Sequence, residues 1–112
     1  MKFIVVILLA FSSSYAFSIE WNVKDNIHVT DIRAQGQRDI ISFTTAEPIY
    51  NPGSCGGGTA DHYVIPIAEE VSDHMLSILL SAAAMGKTVG VNVHSGECFA
   101  GRPVVLDVWI NY

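Results

Sequence analysis

One segment of this chain has the spacing of an amphipathic helix, and extended segments lie on both sides of it. Over residues 69–85 the apolar side chains recur every three or four positions, at Val71, Met75, Ile78, Leu79 and Ala82. This spacing places them on one face of a helix, and Gly86 supplies the residue that commonly ends one. The order of strands, one helix and further strands predicts an α+β, mainly β fold, built as a small sheet or barrel.

Alternation of apolar and polar residues predicts the strands. Residues 21–32 read as one or two extended segments with a kink or bulge at 24–26. Four further segments have the same character: 39–45, 62–67, 88–93 and 104–110. Residues 95–97 are expected to turn the chain. In the last strand the alternation assigns two faces, one with Val104, Leu106, Val108 and Ile110, the other with Val105, Asp107 and Trp109.

The first 16 residues have the three-part layout of a secretory signal peptide. Lys2 precedes an unbroken apolar run over residues 3–11, and small residues follow, with Ser14 and Ala16 at the positions before a cleavage site. Such a run is about half as long as a membrane-spanning helix, so no membrane span is expected. We therefore expect residues 17–112 to form a single small domain in a secreted or periplasmic protein.

Charge and size exclude several classes of function. The chain has 112 residues, with 6 basic and 11 acidic side chains and a formal net charge of −5. An acidic chain argues against nucleic acid or an anionic membrane as the main partner. The length leaves no room for a two-domain enzyme or a large cofactor-binding fold.

The two cysteines, Cys55 and Cys98, are predicted to form a disulfide, since an even pair in a small exported domain usually does. Such a bridge would close a loop of about 44 residues and stabilise the domain by about 4 kcal/mol. An alternative makes Cys55 a nucleophile, because Gly-Ser-Cys-Gly-Gly over residues 53–57 imitates a nucleophile elbow. The preceding Tyr-Asn-Pro, residues 50–52, is typical of a loop rather than of the buried strand that such a turn requires.

No motif for catalysis or metal binding is found in the sequence. Its four histidines, at positions 28, 62, 74 and 94, have no paired-ligand spacing. The glycines at 56–58 lack the lysine of a phosphate-binding loop, and Glu69 and Glu70 are adjacent on a helix, so they do not converge on one substrate. We expect no enzyme activity, no cofactor and no metal.

Amphipathic aromatic residues are the remaining candidates for recognition. This residue type is enriched at protein interfaces and sugar-stacking surfaces, and it occurs at Trp21, Tyr50, Tyr63, Trp109 and Tyr112. Trp21 is expected in the core. For Trp109 two positions remain open, the core and a ligand surface, because its strand face also carries Asp107.

A longer pattern resembles a known group of proteins. Residues 75–93 read MLSILLSAAAMGKTVGVNV, and Glu97-Cys98 and Arg102-Pro103-Val104-Val105 follow. This pattern, with Asn-Pro-Gly-Ser-Cys at 51–55, resembles small secreted proteins similar to the subtilase cytotoxin B subunit. The resemblance implies an OB-like antiparallel barrel with the helix packed across it and a Cys55–Cys98 bridge. It also implies a homo-oligomer in the form of a ring of five.

Toxin members of that group bind cell-surface glycans through a serine after the first strand segment and a tyrosine on the strand after the helix. The corresponding places here hold Asn26 and Asn92, so the sequence departs from the family at both. The expected function is a secreted, non-enzymatic module that binds a glycan or protein, with a candidate surface at Tyr50, Tyr63, Asn92, Asp107 and Trp109. The alternative is an enzyme inhibitor or accessory protein that acts through the loop at 51–61.

Overall fold

The computed structural model describes residues 21–68 and 70–112, so the predicted signal peptide at 1–16 lies outside the described residues. Six strands and one α-helix follow one another in the chain: β1 (Val23–Ile27), β2 (Val29–Gln35), β3 (Ile40–Thr45), β4 (Tyr63–Pro66), α1 (Ser72–Met85), β5 (Val89–Phe99) and β6 (Arg102–Ile110). A short 3-10 helix, Cys55–Gly58, lies in the loop between β3 and β4. The predicted α+β, mainly β class is confirmed.

The strands form one six-stranded sheet in the order β1-β5-β6-β4-β3-β2. The sheet is mixed rather than wholly antiparallel, because β4 and β6 pair in parallel at Val64 and Val104. Its two end strands, β1 and β2, are consecutive in the chain and separated by His28 alone. One extended segment therefore pairs with β5 through its first half and with β3 through its second half. The OB-like assignment stays a prediction.

Two irregularities of the strands bear on the sequence predictions. The bulge expected at 24–26 is confirmed, since the pairing of β1 with β5 shifts between Lys24 and Ile27. The turn expected at 95–97 is wrong, because β5 continues to Phe99 and these residues form a bulge inside it. The ring nitrogen Nδ1 of His94 accepts the backbone amides of Gly96 at 3.2 Å and Glu97 at 2.9 Å, which stabilises the bulge.

The face assignment in the last strand is wrong at Val105 and Leu106. Pairing between β5 and β6 moves from Asn92 opposite Asp107 to Val93 opposite Val105, so Leu106 is an extra residue on β6. A bulged residue reverses the alternation of the strand. Val105 and Val108 consequently both face the core, while Leu106 remains 37% exposed.

The core lies between α1 and the inner side of the sheet. Helix α1 contributes Met75, Leu79 and Ala82, as the spacing predicts, although Val71 is 48% exposed. Helix α1 begins at Ser72 rather than at residue 69, and it ends at Met85 before Gly86, whose φ is 64°. The sheet contributes mainly aliphatic side chains and two stacked aromatics: Ile27, Ile41, Phe43, Tyr63, Ile65, Val89, Val91, Val93, Val105 and Val108.

The junction between β1 and β2 is fastened by the carboxylate of Glu47. One carboxylate oxygen of Glu47 accepts the backbone amide of His28 at 2.7 Å, and the other lies 2.5 Å from Nδ1 of the His28 ring. The amide of Ala46 in turn donates to the His28 carbonyl at 2.9 Å. Partial burial of Glu47 opposes ionisation, but the hydrogen bonds from His28 outweigh it and lower the pKa of this carboxyl.

A pH titration of stability tests this junction. A carboxyl whose pKa is lower in the folded than in the unfolded protein stabilises the fold above its ordinary pKa, and this contribution is lost as the pH falls through the folded pKa. We expect Glu47→Gln to reduce the free energy of unfolding at pH 7 by about 1 kcal/mol and to flatten its decline in acid. Asp31→Asn, at an exposed ion pair with Arg33, is the matched control. An acid decline as steep in Glu47→Gln as in the unmodified protein would contradict this role.

Candidate ligand-binding face on strands β1, β5 and β6

Trp109 lies on the outer side of the sheet, directly over Gly90. The two residues are partners in the β5–β6 pairing. A Cβ atom at position 90 would lie only 2.1–2.3 Å from the Cε2, Cζ2 and Nε1 atoms of the Trp109 indole. The ring therefore rests on the Gly90 backbone, in a place that only glycine leaves open. Two positions were left open for Trp109, the core and the surface. In the structure it lies at the surface, with its side chain partly exposed.

Asp25 lies at one edge of this ring. Its Oδ1 accepts Nδ2 of Asn111 at 2.9 Å and the backbone amide of Asn26 at 2.8 Å. The hydrogen bond from Asn111 is the main cause of a pKa lowered from the ordinary value, followed by that from the Asn26 amide. Asn111 also donates to Oγ1 of Thr88 at 3.1 Å, which holds the amide in place.

A second amide and carboxylate occupy the next row of the same side. Nδ2 of Asn92 donates to Oδ2 of Asp107 at 2.8 Å, and Oδ1 of Asn92 accepts the backbone amide of Asn22 at 2.9 Å. Asn92 is only 1% exposed, whereas Asp107 is exposed to solvent. We use the name indole face for the outer surface formed by Asp25, Gly90, Asn92, Asp107, Trp109 and Asn111.

The indole face combines one aromatic ring with several fixed hydrogen-bond acceptors. An aromatic side chain that is partly exposed offers apolar contact area at little cost in conformational entropy. Ionised carboxylates make stronger hydrogen bonds with hydroxyl donors than neutral acceptors do. A ligand with an apolar patch and neighbouring hydroxyl groups fits this arrangement, and a sugar ring has both.

The predicted candidates divide between this face and the core. Asn92, Asp107 and Trp109 are brought together on the indole face. Tyr63 is not part of it, because its side chain is fully buried and stacks on Phe43 with the ring centroids 5.1 Å apart. The Tyr63 hydroxyl accepts the backbone amide of Tyr50 at 2.7 Å, and its burial raises the pKa of that hydroxyl. This pair fastens the start of the β3–β4 loop to the core.

Trp21 lies at the surface, not in the core. Its side chain is 65% exposed, so the expectation that it fills the core is wrong. Trp21 precedes the first residue of β1, where the sheet has not yet begun. The last aromatic residue, Tyr112, is 93% exposed.

Cys55 and Cys98 form a disulfide with a Cα–Cα distance of 5.6 Å, as predicted. The bridge removes the thiol that the nucleophile alternative requires. Within the loop, the Asn51 side chain accepts the amide of Cys55 at 2.8 Å and donates to its carbonyl at 2.9 Å. A Cβ atom at Gly56 would lie 2.8 Å from the carbonyl oxygen of Gly101. The loop is thus packed closely against the turn between β5 and β6.

Within residues 21–68 and 70–112, no group of three or more side chains is arranged to hold a metal ion. None of the helices in that part of the chain has the length and apolar character to cross a membrane. No family model, curated protein or solved structure matches the sequence or fold of this chain.

Proposed function

We propose that the protein is a secreted, non-enzymatic binding module that holds a glycan on the indole face. The observation that carries this proposal is the Trp109 ring, which rests on Gly90 beside Asp25, with Asp107 two residues away on the same side of β6. One sugar ring would pack its apolar side on the indole, while its hydroxyl groups donate to the two carboxylates. Asn111 and Asn92 would position those carboxylates through their hydrogen bonds.

Export and assembly are further parts of this proposal. The disulfide between Cys55 and Cys98 is compatible with an oxidising extracellular or periplasmic compartment. A single shallow aromatic site binds weakly by itself, and an oligomer that presents several copies on one side gains avidity. A homo-oligomer, such as the ring of five implied by the resemblance, would provide this gain. A measurement of the protein's mass in solution shows directly whether it forms such an oligomer.

The alternative, inhibition of an enzyme through the loop at 51–61, has less support. The centre of this loop consists of Gly56, Gly57 and Gly58, whose φ angles are 61°, 69° and 87°. These three residues lack side chains that could fill a specificity pocket, and their backbone is not extended, although Pro52, Ser54, Thr59 and Asp61 on either side of them are exposed. Peptides recognised by pairing with a strand present extended backbone and alternate side chains.

A glycan array tests the proposal with the unmodified protein and three variants. We expect the unmodified protein to bind at least one class of glycan and Trp109→Ala to lose at least tenfold in affinity, because the stacking surface is gone. Trp109→Phe keeps a ring and should retain more binding than Trp109→Ala. Leu80→Ala removes a side chain that is 52% exposed on α1 and should bind normally.

Two results of this array would overturn the proposal. One is the absence of any glycan binding by the folded, unmodified protein. The other is equal binding by Trp109→Ala, provided that its unfolding curve shows a folded domain.

A further inference from the structure

The charges of the indole face point to a narrower class of ligand, an inference that rests on the proposed function. We infer that the face selects glycans whose contacting sugar carries no negative charge, and that it discriminates against sialic and uronic acids. The two carboxylates of this face and the groups that surround them support this inference.

Asp25 keeps its charge beside the ring. The groups that hydrogen-bond to it are the side-chain amide of Asn111 and the backbone amide of Asn26, both of them neutral. Neutral donors hold a carboxylate in position and leave its full negative charge in place. The same hydrogen bonds keep the pKa of Asp25 below its ordinary value, so this group is ionised at neutral pH.

Asp107 adds a second negative charge from β6. It is exposed, and the side-chain amide of Asn92, which hydrogen-bonds to it, is also neutral. Its position is two residues from Trp109 on the same strand, and its partner Asn92 is two residues from Gly90 on β5. Asp25 and Asp107 therefore belong to two different strands, β1 and β6, that carry the indole face.

Within the described part of the chain, no ion pair joins Asp25 or Asp107 to a lysine, arginine or histidine. Lys24 is adjacent in sequence, but it pairs with the core residue Val91, which places it on the inner side of the sheet. Lys87 precedes Thr88, which accepts a hydrogen bond from Asn111, but it forms no ion pair with either carboxylate. An anionic sugar on the indole face would therefore meet two like charges that no ion pair neutralises.

A neutral sugar gains from the same two groups. Each carboxylate has acceptor sites beyond those used by its amide neighbours, and sugar hydroxyls are donors that fill them. A carboxylate on the bound sugar would instead be repelled by both like charges. Because one carboxylate pair both attracts hydroxyls and repels carboxylates, the structure assigns affinity and charge selectivity to the same residues.

Pairs of glycans with a neutral and an anionic member test this inference. Suitable probes are lactose with 3′-sialyllactose and β-glucosides with β-glucuronides, together with neutral mannosides and N-acetylglucosaminides. We expect the unmodified protein to bind the neutral member of a pair at least tenfold more tightly. Added salt should narrow this ratio, since it screens the repulsion of exposed charges.

Substitutions that remove charge but keep shape complete the test. Asp107→Asn and Asp25→Asn should each reduce the neutral-to-anionic ratio at least threefold, whereas Asp31→Asn on β2 should leave it unchanged. An unchanged ratio in both site variants, or preference for the sialylated member, would overturn the inference while glycan binding through Trp109 still stands. If no glycan of either charge binds, the proposed function fails and this inference with it.

Discussion

Replacement of both Cys55 and Cys98 by serine is expected to lower the free energy of unfolding by about 4 kcal/mol. The bridge joins residues 43 positions apart, so its loss frees a long loop in the unfolded chain, which then has more conformational entropy. The change is large for a single small domain, whose total stability is typically 5–15 kcal/mol. A loss of this size corresponds to a fall in melting temperature on the order of 20 °C.

Denaturant unfolding of the double variant beside the oxidised protein measures this effect. Reduction of the native protein should reproduce it, which separates the loss of the bridge from any effect of the serine side chains. The bridge lies at the turn between β5 and β6, whereas Gly90 and Trp109 lie near the opposite ends of these strands. The variant that remains folded should therefore bind glycan normally. A change in unfolding free energy below about 1 kcal/mol would contradict the role given to the bridge.

Gly90→Ala is expected to displace the Trp109 ring and abolish binding to the indole face. The added Cβ atom would lie 2.1–2.3 Å from three ring atoms, a distance at which the ring must move. Overpacking of this kind costs about 1–3 kcal/mol, and it moves the indole from its place beside Asp25. We expect at least a tenfold loss of glycan affinity and a shift in tryptophan fluorescence toward that of an exposed indole.

Two companion variants show whether the effect comes from the ring. Gly36→Ala adds the same methyl group where no atom lies within 4 Å, so it should leave stability and binding unchanged. In the double variant Gly90→Ala/Trp109→Ala the methyl group has no ring to displace, so the two stability losses should not add. Normal glycan affinity in Gly90→Ala would contradict the position of Trp109.

The sequence pattern predicts most of the fold because its signals are local. The period of 3.6 residues identifies α1 with its end at Gly86, and alternation identifies the strands. The faces of β6 are not predictable in this way, because the extra residue Leu106 exists only in relation to its partner strand β5. The exposure of Trp21 likewise depends on where the sheet begins, which the side chain itself does not determine.

The candidate site is partly predictable for the same reason. Asp107 and Trp109 share a strand face, and Asn92 is on the strand after the helix, so sequence spacing connects them. Asp25 and Asn111 were missed, although they complete the indole face. They are 86 positions apart and meet only because β1 pairs with β5 and β5 pairs with β6. The one signal available, a glycine at position 90 within a valine-rich strand, indicates close approach without naming what approaches.

The most direct test of glycan binding on the indole face is an NMR titration of the ¹⁵N-labelled protein with the tightest-binding neutral glycan of the panel. We predict saturable changes in the chemical shifts of the Trp109 indole N–H and of the backbone amides of Gly90 and Asn111. The amide signals of the 3-10 helix, Cys55–Gly58, and of the exposed side of α1 should not shift. Shifts confined to the loop at 51–61 or to α1, with the Trp109 indole unchanged, would contradict it.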